Sequence, residues 1–117
     1  TIGKEAVEGD YFSTHYSPDA GSPKGKVFVE AYKKRYNGKV PDAMAALGYD
    51  SAMILADAIK TAGSTEGAKI RDALAAVTDY EAVTGKITLN KQRDAEKAAV
   101  ILQVQGGVLR YLETVAP

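Results

Sequence analysis

Apolar and polar positions divide the chain into one strand, three helices and a group of strands. Residues 10–16 are aromatic and partly alternating, which predicts a strand. Apolar positions at helical spacing then predict helices at about 23–36, 41–62 and 65–77. The period changes after residue 79, and strands are predicted at 83–89, 98–104 and 108–112, with a polar loop at 90–96. This order predicts a mixed α/β fold rather than repeated βαβ units.

Capping residues mark the expected ends of these elements. Ser22 followed by Pro23 is a typical helix start, and Ser64 is the expected cap of the third helix. For the second helix, Pro41 suits the first helical position and Gly63 the stop. The pair Gly106-Gly107 predicts a tight turn between the last two strands, since both residues accept positive φ.

The second helix is apolar on most of its sides, which is typical of a helix buried between layers. Small residues recur every four positions along one line, so another backbone could approach closely there; they are Gly48, Ala52 and Ala56. Only three of its side chains clearly need water or a polar partner, namely Asp50, Asp57 and Lys60. We therefore expect this helix to need more cover than the neighbouring segments supply.

Composition excludes several classes of function. The 117 residues contain fifteen basic and fifteen acidic side chains, so no net charge favours nucleic acid. There is no cysteine, which removes disulfides and thiolate chemistry without fixing the compartment. No apolar run is long enough to span a bilayer.

Neither catalysis nor metal binding has a convincing pattern. His15 is the only histidine, and although Ser13 and Asp19 are near it in sequence, nothing supplies an oxyanion site. Asp50 and Asp57 are two helical turns apart, too far for direct cooperation, and a solvated or paired carboxylate is the better interpretation. The Gly106-Gly107 pair lacks the lysine and helix of a phosphate loop. We expect no enzyme activity, no catalytic residue, no cofactor and no metal site.

Five aromatic residues near the start of the chain allow two interpretations. They could form an aromatic wall for a ligand, but at strand and helix spacing they more often belong to a core; they are Tyr11, Phe12, Tyr16, Tyr32 and Tyr36.

Several segments together resemble the C-terminal third of the substrate-binding proteins of branched-chain amino acid ABC transporters, the type I periplasmic binding proteins. They are EGDYFSTHYSPD at 8–19, FVEAYKKRY at 28–36, PDAMAALGYD at 41–50, IRDAL at 70–74 and TGKITL at 84–89 with the loop to residue 94. No one segment is a chemical motif, so the specificity lies in their order and spacing over nearly the whole chain.

The resemblance implies a fragment of a two-lobe fold in which three crossing strands join the lobes and a ligand is trapped between them. One crossing is expected at residues 14–19 and another at 79–85. Residues 1–16 and 84–117 would belong to one lobe and residues 22–78 to the other. We expect the chain to be a piece of a longer protein, with its apolar surface covered by the remainder, by a partner chain or by domain swapping with a second copy.

The resemblance also places ligand-binding candidates at two points facing the cleft. At the start of the second helix these are Ala46, Tyr49 and Asp50, and at the first crossing they are Phe12, His15 and Tyr16. In this family the residues that grip the ligand's ammonium and carboxylate groups come largely from upstream segments, so this chain would carry only part of the cleft.

The function implied is that of a periplasmic or extracellular solute-binding component of an ABC uptake transporter. Its partners would be an amino acid or similar small organic acid and the membrane permease. Two alternatives stay open, namely a self-associating interaction module and the ligand-binding domain of a sensor or receptor without a transport role.

Overall fold

The computed structural model describes residues 3–20 and 22–117. Within these ranges the three helices are α1 (Pro23–Arg35), α2 (Ala43–Ala62) and α3 (Gly67–Ala75). The strands are β1 (Tyr11–Thr14), β2 (Tyr80–Ala82), β3 (Gly85–Leu89), β4 (Ala95–Glu96), β5 (Ala99–Gln105) and β6 (Val108–Val115). Two short 3-10 helices lie at Lys4–Val7 and Pro18–Ala20. The predicted α/β class, with one strand, three helices and a terminal hairpin, is confirmed.

The strands form two separate antiparallel sheets of three strands each. The first sheet has the order β1-β5-β6, so the strand at the start of the chain pairs with one near its end, Tyr11 lying opposite Gln103. The second sheet, β2-β3-β4, follows the helices and consists of short consecutive strands.

Two helix ends match their predicted signals. The Ser22 Oγ accepts the amide hydrogen of Gly25 at 2.9 Å, with Pro23 as the first helical residue of α1. Gly63 ends α2 with φ of 57°, a left-handed conformation that favours glycine.

Two other predicted helix starts are wrong. α2 begins at Ala43, because the Asp42 carboxylate caps it by accepting the amide hydrogen of Ala45 at 2.8 Å, and Pro41 lies outside the helix. The N-cap of α3 is Glu66, whereas the Ser64 Oγ accepts the amide hydrogen of Glu66 instead of a helical amide.

The region between residues 79 and 96 also differs from the prediction. The strand expected at 83–89 is present as β3, starting at Gly85, and an additional strand, β2, precedes it and is joined to it by a turn at Val83-Thr84. The crossing expected at 79–85 is therefore a hairpin inside the second sheet. The loop expected at 90–96 contains β4, which pairs with β3.

The turn at Gly106-Gly107 is confirmed, with φ of 62° and 73°. Glu8, near the start of the chain, stabilises this turn, because its carboxylate oxygens accept the amide hydrogens of both glycines at 2.7 and 3.0 Å.

Two apolar clusters hold the helical segment together. The first joins α1, α2 and the β2–β3 turn through Tyr16, Phe28, Val29, Ala46 and Val83. The second joins α2, α3, β2 and β3 through Ile54, Ala82 and Ile87, with Leu74, Val77, Tyr80 and Leu89 packed around them. No large side chain among the described residues is fully buried, so both clusters are thin.

The molecule is elongated, measuring 54 × 33 × 25 Å. Its radius of gyration is 16.6 Å, against about 13 Å for a compact domain of similar length. The chain passes from the first sheet to the helices after β1 and returns between β4 and β5. These two connections, residues 15–17 and 97–98, lie side by side, since the Lys97 Nζ donates to the His15 carbonyl at 2.8 Å. We call this junction the waist.

The aromatic residues divide between core and surface. Tyr32 packs against the first cluster, as the core interpretation expects, whereas Tyr11 and Tyr36 are exposed, so that interpretation is wrong for them. The two aromatic residues that the resemblance assigns to the first crossing differ from each other, since Tyr16 is buried and Phe12 is exposed. Among the described residues no helix combines the length and hydropathy needed to cross a bilayer.

Candidate functional site

Asp50 occupies the centre of the candidate site. It lies on the inner side of α2 and is only 2% exposed. Its two carboxylate oxygens accept the backbone amide hydrogens of Val83 and Thr84 at 2.8 and 2.9 Å. Asp50 is thus a paired, buried carboxylate that fixes the β2–β3 turn against α2, and both oxygens already have backbone partners.

Tyr16 and Ala46 lie beside this carboxylate. Both belong to the first apolar cluster together with Val83, and Ala46 has no exposed surface. Burial and the nearby carboxylates of Asp19 and Asp50 raise the pKa of the Tyr16 phenol. The Tyr16 hydroxyl and the Thr84 Oγ1 are buried without a hydrogen-bond partner among the described protein atoms. Three of the six predicted site residues therefore meet at the waist end of α2.

A cleft of about 430 Å³ opens next to Asp50, between α1, α2 and β2. Phe28 and Tyr49 form its aromatic wall, with ring centroids 4.9 Å apart. The other lining residues are mostly apolar, and the charged ones are Lys24, Asp50 and Glu81; the full lining adds Pro23, Val27, Ala31, Met53, Tyr80, Ala82 and Val83. Tyr49 therefore lines this cleft beside Asp50 and is 44% exposed, and the cleft lies within the helical segment.

A polar cluster closes the far side of this cleft. The Tyr80 hydroxyl donates to Asp57 at 2.8 Å, and the Lys60 Nζ lies 3.0 Å from the other oxygen of Asp57. The hydrogen bonds from Lys60 and Tyr80 lower the pKa of Asp57. Burial and the hydrogen bond to Asp57 raise the pKa of Tyr80 to about 12. The Lys24 Nζ lies 5.6 Å from the centre of the Tyr80 ring and donates to the Glu81 carbonyl.

Phe12 and His15 lie apart from this group. Phe12 is exposed and lines a separate concavity on the first sheet with Val104 and Leu109. His15 is exposed at the waist. Its backbone carbonyl, and not its ring, accepts the hydrogen bond from Lys97. The structure thus brings together Tyr16, Ala46, Tyr49 and Asp50 but places Phe12 and His15 elsewhere.

Sequence reasoning missed three residues that shape this region, namely Lys24, Tyr80 and Lys97. Lys24 stands one turn before Phe28 on α1, so helical spacing could have placed it at the cleft. No local signal identifies Tyr80 or Lys97, because their partners are 23 and 82 residues away along the chain. Lys97 is half-buried at the waist, and this burial lowers the pKa of its ammonium group.

Two kinds of similarity identify the family. The family model described as "Periplasmic binding protein" matches residues 1–108. A leucine-binding protein, LivK, from Thermotoga maritima is 41% identical and has a TM-score of 0.84. That match covers 99% of this chain and 33% of the Thermotoga protein.

Two further solved structures agree with this match. The substrate-binding protein LivJ of Streptococcus pneumoniae, solved with isoleucine, is 34% identical over 92% of this chain and 30% of its own, with a TM-score of 0.79. A Rhodopseudomonas palustris solute-binding protein, solved with 3,4-dihydroxybenzoic acid, is 30% identical over 96% of this chain and 31% of its own, with a TM-score of 0.74. The chain spans about a third of the length of these proteins. It belongs to the periplasmic binding protein family and corresponds to a fragment of the ABC transporter substrate-binding proteins.

Proposed function

We propose that this chain is the C-terminal third of a solute-binding protein that serves an ABC uptake transporter. We call the proposed longer protein the parent receptor. It binds its solute non-covalently between two lobes, without catalysis, and presents the closed form to a membrane permease. The family supports a periplasmic or extracellular location.

The observation that carries this proposal is the waist. Two connections, at residues 15–17 and 97–98, join a strand segment to a helical segment in an elongated molecule. Such a narrow junction allows rigid-body closure of one segment on the other, because only a few backbone angles need to change. The Lys97–His15 hydrogen bond keeps the two connections in register during such a motion.

The packing supports lobe boundaries that differ from those expected from sequence. Ile87 and Leu89 of β3 contact the cluster formed with α2 and α3. We therefore propose that residues 22–96 belong to one lobe, and that residues 3–14 and 99–117 belong to the other.

The proposed ligand is an amino acid or a similar small organic acid. This class is supported by relatives solved with isoleucine and with 3,4-dihydroxybenzoic acid. Tyr49 and the cleft beside Asp50 are the proposed contribution of the helical lobe, whereas Phe12 and His15 stay proposals for the other side of the waist. Asp50, which is 2% exposed and holds two backbone amides, is proposed to act on the ligand by positioning the β2–β3 turn.

The test is a titration of the purified parent receptor with the common amino acids and a panel of aromatic and aliphatic carboxylic acids. We expect one chemical class to raise the melting temperature and to reduce the radius of gyration in solution scattering. A Tyr49→Ala variant should weaken binding at least about tenfold, which is a loss of roughly 1.4 kcal/mol. A matched change on the solvent-exposed side of α1, Lys34→Ala, should leave binding unchanged. If no compound stabilises the receptor, the solute-binding proposal is wrong.

A further inference from the structure

A second, smaller cavity lies at the waist, between the strand segment and the helical segment. Its volume is about 220 Å³. One side is formed by Val100 and Thr114, which are paired in register across β5 and β6. The opposite side is formed by the start of α1 and the β2–β3 turn, and the rest by the two connections. We call it the waist cavity, and both segments contribute to its walls.

Two buried hydroxyls at this cavity have no hydrogen-bond partner in the described part of the chain. They belong to Tyr16, which is 6% exposed, and to Thr84, which is 8% exposed, and both residues line the waist cavity. A buried hydroxyl without a hydrogen bond destabilises the folded state, because it has lost its hydration. Burial raises the pKa of the Tyr16 phenol, so this group stays protonated at neutral pH and can donate.

The lining of the waist cavity suits a neutral occupant that both donates and accepts hydrogen bonds. Among the described residues, no charged side chain lines it. Charges of both signs lie close by, since the Asp50 carboxylate holds the Thr84 amide and Lys97 precedes the lining residue Ala98, while the exposed Asp19 is screened by solvent. Neither an anion, such as the carboxylate of a solute, nor a cation is therefore favoured.

We propose that bound water fills the waist cavity and bridges the Tyr16 hydroxyl to the Thr84 hydroxyl. The first connection is thereby tied to the β2–β3 turn through solvent. A water molecule takes about 30 Å³ in the liquid, so the cavity has room for several. Ser17 and Ser22 offer further partners, because each accepts a backbone amide hydrogen and keeps its own hydroxyl hydrogen to donate.

This water site has a role in the proposed closure of the lobes, and to that extent it rests on the proposed function. Closure changes the shape of the waist cavity, because its walls belong to both segments. A water bridge is enthalpically almost as favourable as a direct hydrogen bond. Waters can rearrange as the walls move, whereas a direct bond between the two hydroxyls would hold one geometry.

A double-mutant cycle in the parent receptor tests the bridge. Tyr16→Phe and Thr84→Val each remove one hydroxyl, and chemical denaturation measures the folding equilibrium constant. We expect each single change to lower that constant about fivefold, because the water loses a partner. The double variant should lower it about five- to tenfold rather than by the product of about 25-fold, since one shared bridge is lost. The exposed controls Tyr36→Phe and Thr78→Val should change it less than about twofold.

A crystal structure of the unmodified parent receptor gives an independent answer and requires no variant to fold. We expect a water molecule within about 3.2 Å of both hydroxyls. A protein atom or an ion in that place would overturn the proposal. So would a more stable Tyr16→Phe or Thr84→Val variant, because the hydroxyl would then be unhydrated, and so would single losses that multiply. Solute titration of the unmodified receptor tests the proposed function separately, so that either proposal can fail alone.

Discussion

The carboxylate of Asp50 in α2 accepts the backbone amide hydrogen of Val83 at 2.8 Å, across 33 residues of sequence. The same carboxylate also holds the next amide, that of Thr84. Two successive amides would otherwise be buried without partners, so this one side chain determines where β2 ends and β3 begins.

Replacing that carboxylate should be costly in the parent receptor. Asp50→Asn keeps the shape but leaves one amide hydrogen facing an NH₂ group, and we expect a loss of about 2–3 kcal/mol in the free energy of unfolding. Chemical denaturation measures this. The exposed Asp94→Asn is the control and should change stability by less than about 0.5 kcal/mol. Similar losses for the two variants would show that Asp50 does not anchor the turn.

The second cluster predicts a coupled pair of core residues. Ile54 of α2 and Ile87 of β3 are both buried there. Each change to alanine should cost about 2–4 kcal/mol, because a cavity remains. The double variant should cost less than the sum, since both side chains line one space. Lys33→Ala, on the surface of α1, should have little effect. Strict additivity in a double-mutant cycle would mean that α2 and β3 do not share a cluster.

The Tyr80–Asp57 hydrogen bond predicts an alkaline effect. The pKa of Tyr80 is raised from 10.0 to about 12, so its contribution to stability is full below pH 10 and is lost as the pH rises through 12. Difference absorbance between the receptor and its Tyr80→Phe variant follows the ionisation of this phenol. Asp57→Asn should move that titration back toward pH 10. A Tyr80 phenol that already titrates near pH 10 in the unmodified receptor would mean that the bond is not formed.

The pKa of Asp57 is shifted downward, in contrast to that of Tyr80, so its effect on stability appears at acidic pH. Its pKa lies below the ordinary value of 3.8, so its contribution is full above that pH and is lost as the pH falls through the lower folded pKa. The difference in melting temperature between the receptor and Asp57→Asn should therefore shrink on acidification. A difference that grew at low pH would contradict this assignment.

Removing the hydrogen bond at the waist should make the two connections more mobile. Lys97→Met keeps most of the side-chain length but removes the donor to the His15 carbonyl. Hydrogen exchange at the amides of residues 15–17 and 97–99 should become about fivefold faster, which corresponds to roughly 1 kcal/mol. Lys91→Met, in the exposed loop before β4, is the matched control. Unchanged exchange at the waist in the Lys97 variant would show that this hydrogen bond does not restrain the two connections.

Local signals in the sequence predicted the elements whose limits are set locally. Ser22-Pro23 start α1 and Gly106-Gly107 make the last turn, because each pattern satisfies its own backbone. The start of α2 was misplaced because Asp42, which follows Pro41, is the stronger cap. The strand β3 was predicted, but β2 and the turn between them were not, since that turn depends on Asp50 in a distant helix.

The candidate site was predictable to a similar extent. The family resemblance placed Tyr49 and Asp50 at a cleft between two lobes. In the structure both residues line a cleft within the helical segment, and their contact with an interlobe ligand stays a prediction. The resemblance did not predict that Asp50 is engaged by backbone amides, nor that Tyr80 borders the same cleft. Those contacts join segments more than twenty residues apart, and no spacing rule reaches that far.

The bond between Glu8 and the Gly106-Gly107 turn has a consequence for the order in which the chain folds during synthesis. Its partners are 98 and 99 residues apart, and β1 likewise has no partner in the first sheet until β5 exists. The helices and the second sheet need only nearby segments, so they can assemble as they emerge. The aromatic strand Tyr11–Thr14 stays unpaired during this interval, and its exposed backbone can then bind chaperones or aggregate.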